Sequence, residues 1–109
     1  MTSLPPDAAG DRGVVRLLNT AGGRVLCLAG EVDGTVVDSF VRRYGREPAR
    51  IDGIDAGSVT SLSAPALELV LDHLEAARLA GRPVLVRPSA PVERLLAGAG
   101  VRRCLTDRP

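Results

Sequence analysis

Two short β-prone runs joined by a glycine turn open this chain, and every later strand-like run hands over to a helical one. Val14-Val15-Arg16-Leu17-Leu18 and Val25-Leu26-Cys27-Leu28-Ala29 flank the stretch Asn19 to Gly23, where Gly22-Gly23 supply positive φ. The pair reads as a hairpin. The second run is almost continuously apolar, which predicts a strand buried on both faces, with Cys27 buried and reduced as a small hydrophobe. Helix, strand, helix, strand and helix follow. A hairpin continued by alternating elements specifies an α/β class: one domain, a mixed sheet, and helices mainly on one face.

The helical segments carry their own punctuation. In the first, Val37, Phe40, Val41 and Tyr44 recur at helical spacing, Thr35 is placed as cap with Asp38 three residues on, and Gly45 is the stop. Arg42 and Arg43 suit the negative end of its dipole. Phe40 and Tyr44 mark its core face. The next strand is read from Arg50 to Ala56, with Gly53 marking a bulge or a close approach. A second helix spans Ala64 to Ala80, capped by Ser63, with Pro65 in the first turn and Gly81 after its end. Leu67, Val70, Leu71 and Leu74 form its expected buried stripe, leaving Glu68, Asp72, His73 and Glu75 exposed. Pro83 to Arg87 is the following strand, and Ser89 caps a third helix from Ala90 to about Ala97. The sheet then has four strands, or five if Arg103-Cys104-Leu105 adds one. The domain is bounded at residues 13–105, with tails at 1–12 and 106–109.

Composition excludes several classes. A chain of 109 residues holds one core and little else. A net charge of +1 gives no pull toward nucleic acid or anionic lipid, although all 14 basic residues are arginines. Arg42, Arg43, Arg46 and Arg50 cluster near the first helix end, but Glu47, Asp52 and Asp55 offset them, so this is a solvated face rather than a nucleic-acid surface. No apolar run approaches the ~20 residues of a membrane helix, and the start of the chain lacks a signal-peptide pattern. Cys27 and Cys104 follow no metal spacing and fit a reduced, cytoplasmic setting.

Catalytic constellations are not apparent. His73 is the single histidine, and Ser63 precedes it by ten residues, about 15 Å of helix rise, too far for a Ser–His pair. One His and two separated Cys make no metal site. Gly98-Ala99-Gly100 follows a helix, not a strand, so it is no phosphate cradle. No cofactor is expected.

Three motifs in order resemble a known family. Val59-Thr60-Ser61-Leu62-Ser63-Ala64-Pro65-Ala66-Leu67 is similar to the strand-to-helix junction of STAS domains, the fold of bacterial anti-sigma factor antagonists, which usually reads Val-Thr-Phe-Ile-Asp-Ser-Ser-Gly-Leu. Val59, Thr60 and Leu67 match. Upstream, Gly30-Glu31-Val32-Asp33 resembles the family's Gly-Glu-Leu-Asp. Downstream, Gly81, Pro88, Ser89, Arg94, Leu95 and Leu96 follow the family's order of glycine, strand, Asn-Pro-Ser and helix. The resemblance covers residues 13–105.

It implies a STAS-like domain acting as a non-enzymatic regulator. Such a module binds an anti-sigma factor, often a GHKL-type serine kinase, and so releases a sigma factor. Asp33, Ser61, Leu62, Ser63, Ala64, Pro65 and Ala66 become the implied partner contact. The chain departs from the family where it matters for control. The family Asp falls on Ser63, its first Ser on Ala64, its phospho-acceptor Ser on Pro65 and its Gly on Ala66. A phosphate there adds about −1.5 to −2 charge, which the helix dipole tolerates and a close partner surface does not. With no hydroxyl at 64 or 65, Ser61 and Ser63 are the remaining candidates for modification. The alternative expectation is a STAS accessory subunit of a transporter ATPase complex or a stress-signalling scaffold. Either role is compatible with a monomer or a weak homodimer.

Overall fold

The structure, a computed structural model, describes residues 13–99. Its elements run β1 (Val14–Thr20), β2 (Gly23–Val32), α1 (Gly34–Tyr44), β3 (Gly53–Leu62), α2 (Ala64–Leu79), β4 (Leu85–Pro88) and α3 (Ala90–Gly98). One four-stranded mixed sheet has the order β1-β2-β3-β4. The hairpin β1–β2 is antiparallel and the other two pairs are parallel. The expected α/β class, mixed sheet and one-sided helix layer are all present. The suggested strand at Arg103-Cys104-Leu105 and the two tails lie outside the described residues.

The hairpin turns on Ala21 and Gly22, and the Thr20 hydroxyl accepts the Gly22 N–H. Only Gly23 has positive φ here, at 123°. It also lies against the Asp52 side chain, so a Cβ would collide there.

Helices cover one face of the sheet. Val15, Leu26, Leu28, Val32, Ile54, Ala56, Val59 and Val86 point into the core, where they meet Phe40, Val70, Leu74, Val92 and Leu96. On the opposite face Arg16, Asp55, Leu85 and Arg87 are exposed, and Val25, Cys27 and Ala29 are half-buried. The expectation that β2 is buried on both faces therefore fails. So does the buried Cys27: its row across the sheet is Arg16, Cys27, Asp55 and Arg87, which no helix covers. The apolar run reflects strand propensity and packing on one side, with small or short side chains tolerated on the other.

β3 begins and ends later than its sequence suggests, at Gly53 and Leu62 instead of Arg50 and Ala56. Against β2 it carries two irregularities. Between the pairs Cys27↔Asp55 and Ala29↔Ser58, and again between Gly30↔Val59 and Glu31↔Ser61, β3 spends one residue more than β2. These are β-bulges. They reset the alternation, so Ala56, Val59 and Leu62 can all face the helices although they are three apart. Gly57 sits in the first bulge, where its N–H donates to Asp55 Oδ1 at 3.2 Å. Gly53, by contrast, pairs regularly with both neighbours, and a Cβ there would meet only ordinary contacts, so it marks neither a bulge nor a close approach.

Asp33, not Thr35, caps α1: its Oδ1 accepts the Val36 N–H at 3.1 Å. Gly45 ends the helix with its N–H on Val41 O at 2.7 Å. Phe40 is the core anchor, while Tyr44, stacked 4.8 Å from it, is exposed at the rim. α2 matches its expected span, but its buried face is turned. Ala66, Leu69, Val70, His73, Leu74 and Ala77 are buried, and Leu67 and Leu71 flank them half-buried. Glu68, Asp72 and Glu75 are exposed as expected.

His73 is the chief correction. It is 2% exposed, not a surface residue. Its Nδ1 lies 2.9 Å from Leu69 O, its Nε2 accepts the Ala49 N–H at 3.1 Å, and its ring meets Phe40 edge-on. Both nitrogens are satisfied only in the neutral form protonated on Nδ1. Burial holds the pKa below the ordinary 6.5, against the opposing pull of Leu69 O and Asp72. A second clasp closes the amino ends of the parallel strands. Asp52 accepts the Arg24 N–H at 2.9 Å and pairs with Arg82 at 3.0 Å, and Arg82 also donates to Ile51 O. Asp52 is exposed, as expected of a solvated face, and the Arg24 N–H and Arg82 hold its carboxyl below the usual range.

Unfolded His73 takes up a proton near 6.5, and folded His73 only at lower pH. Between those points the unfolded chain binds more protons. Stability should therefore fall as pH drops below about 6.5, by at most about 1.4 kcal/mol per unit, while above it this contribution is constant. His73→Leu should abolish that slope and cost about 2 kcal/mol at neutral pH by orphaning the Ala49 N–H. Urea unfolding down to about pH 5.5 checks both; an unchanged slope in the variant would count against the clamp.

Candidate functional site

The last paired residues of β2 and β3 are Val32 and Leu62, and each is followed at once by a helix cap. Parallel pairing thus places Asp33 and Ser63 side by side at the carboxyl ends of adjacent strands. The Ser63 N–H donates to Val32 O at 2.9 Å and fixes this juxtaposition. The Ser63 hydroxyl accepts the Ala66 N–H at 3.4 Å, and Ser63 O takes the Leu67 N–H at 2.8 Å. The two helix starts abut: a Cβ on Gly34 would lie 3.8 Å from Pro65 Cγ. This end of an open α/β sheet is where such folds commonly place binding sites.

The residues singled out in the sequence converge here. Asp33, Ser61, Ala64 and Pro65 are exposed, and Leu62 and Ser63 are half-buried. Ala66 is fully buried and leaves the contact surface; it lies under the first turn of α2, in the core. Pro65 stands in the first turn, where its missing N–H costs no hydrogen bond. Glu31 was not grouped with the junction, yet it is the direct register partner of Ser61. The signal that could have found it is the Gly-Glu-Val-Asp run, once β2 and β3 are paired in parallel. The second bulge turns Thr60 and Ser61 outward in succession.

Ser61, Ser63, Ala64 and Pro65 give this surface mostly small side chains. His73 offers Ser63 no base, because both its nitrogens are engaged in the core. Among the described residues, no group of three His, Cys, Asp or Glu side chains is placed to hold a metal ion. No helix among them is long and apolar enough to cross a membrane. Further along this edge, Ser89 starts α3 without a side-chain cap, and its hydroxyl is buried without a partner. No family model matches the chain, and searches of the curated proteins and of the solved structures return no match.

Two outcomes are expected. Asp33→Ala and Ser63→Ala should each cost about 1 kcal/mol through loss of a cap, lowering Tm by about 4–8 °C without changing secondary structure content. A variant with unchanged Tm would show that its cap is idle. Cys27, in a Cys104→Ser background, should label in the folded protein, since its face is open. Burial, with Asp55 adding to it and Arg16 opposing, pushes its thiol above the ordinary 9.0. Labelling should therefore still accelerate with pH beyond about 9. Complete protection would restore the two-sided burial of β2.

Proposed function

We propose that this protein is a non-enzymatic binding module of the anti-sigma factor antagonist type, resembling a STAS domain and acting in the cytoplasm. It engages an anti-sigma factor, of the GHKL kinase class in the implied family, and thereby frees a sigma factor. The observation that carries this reading is the side-by-side placement of Asp33 and Ser63 by the Val32↔Leu62 pairing. It gathers the residues of two separate motifs onto one rim formed by Asp33, Ser61, Leu62, Ser63, Ala64 and Pro65. A partly apolar rim of mostly small residues suits protein contact, where close approach matters more than convergent polar groups.

The usual phosphate control is absent from this reading. Pro65 stands where the family carries its acceptor hydroxyl. Ser63 uses its hydroxyl as a cap. Ser61 is exposed, but a phosphate there would face Glu31 across the ladder and meet like charge. Binding is then constitutive, set by the amounts of module and partner.

The test uses the partner recovered by pull-down from the native host. Pro65→Glu should weaken binding at least about tenfold by placing an unpaired charge in a close interface. Pro65→Ser should bind as well as the parent, losing about 1 kcal/mol of stability or less. Unchanged affinity in Pro65→Glu would remove the junction from the interface. Stoichiometric phosphorylation of Ser61 or Ser63 by the partner with ATP, accompanied by release, would show that the switch has moved along the chain.

A further inference from the structure

The two edges of the sheet are built differently. β4 is four residues long, contains Pro88 and follows Pro83. Short strands and prolines are the usual defences of an edge against unwanted pairing. β1, the opposite edge, is seven residues long, has no proline, and keeps an unbroken register with β2 from Val14↔Ala29 to Thr20↔Gly23. Among the described residues nothing pairs with its outer side. Val14 and Leu18 are both 39% exposed on it. Beneath this edge a cleft of about 720 Å³ runs between β1 and α1, floored by Val15, Leu17, Val36 and Phe40.

We infer that this edge is the interface of a homodimer, in which β1 pairs antiparallel with β1 of a second copy. Self-complementarity selects that occupant. A two-fold axis through Leu17 pairs the whole of Val14–Thr20 with itself, setting Arg16 opposite Leu18 of the second copy and Leu17 opposite Leu17. Moving the axis to Arg16 would put the two arginines face to face. The same axis matches charge along the cleft. α1 leaves the end of β2 and runs alongside β1, so Asp33 lies at one end of the cleft and Arg43 at the other. A two-fold operation reverses this order and brings Arg43 of each copy toward Asp33 of the other. The two clefts merge across the axis, and the paired Leu17 side chains close the join. An eight-stranded sheet results, with both helix layers on the same side and the carboxyl-end rims displaced from the axis.

The dimer shares Asp33 with the rim proposed for partner contact, but the test residue Leu18 lies outside that rim, so the dimer can fail while partner binding stands. Sedimentation equilibrium of the full chain over the micromolar range should give a dimer. Leu18→Arg places two Arg–Arg pairs across the axis and should raise the dimer Kd about tenfold, while Leu18→Glu creates two opposite-charge pairs and should lower it. Both changes are at an exposed position, so circular dichroism should stay that of the parent. Hydrogen exchange then identifies any other occupant. A full chain that stays monomeric overturns the inference, whether its β1 amides exchange fast, leaving the edge empty, or slowly, showing that the chain covers its own edge. Equal Kd values for the two charged variants overturn it as well.

Discussion

The parallel pairing of β2 with β3 is the interaction on which the other features rest. It forces the intervening chain to cross over, and a right-handed crossover puts α1 on one face. The β3–β4 pair repeats the operation for α2, which is why one layer of helices covers one side of the sheet. It also determines where the strands end together, so two helix caps meet at a single edge. The bulges in β3 reconcile this pairing with a sequence that does not alternate. Without them, Val59 and Leu62 could not share the buried face with Ala56.

Much of this was legible in the residues. The element order, the hairpin and the span of α2 follow from turn glycines and from two different periods of apolar residues. The convergence of Asp33 with the Ser61–Pro65 run was also implied, because each run ends a strand and opens a helix. What stayed hidden depends on partners far apart in the chain. Asp33 and Thr35 are both competent caps, and only the exit direction of β2 chooses between them. The span of β3 was obscured because bulges break period-two patterning. On α2, bulky leucines drew attention to Leu67 and Leu71, whereas the packed stripe runs through the small Ala66 and Ala77.

His73 shows the same limit in a sharper form. A polar residue beside Asp72, between the apolar positions of α2, reads as exposed until the Ala49 N–H and the Leu69 carbonyl are known to receive its ring. The imidazole makes the α1–β3 connection part of the core, because that connection otherwise offers few apolar anchors beyond Ala49 and Ile51. Cys27 is the converse: an apolar run concealed an open face. For both residues, the layer that packs opposite decides their exposure, and the local sequence does not contain it.

The two-residue turn between β1 and β2 carries a consequence for the order of assembly. This hairpin is the most local pairing in the sheet, and hairpins close in about microseconds. The parallel partners must each wait for a far longer loop to close, which is slower and entropically dearer. β2 therefore serves as a template, laid down before β3 arrives and buried only when α1 has folded over it. Until then its inner face, Leu26, Leu28 and Val32, lies open to other chains. The vulnerable moment of this protein's life is thus the interval between the first turn and the first crossover, and the speed with which α1 nucleates on its Asp33 cap sets how long that interval lasts.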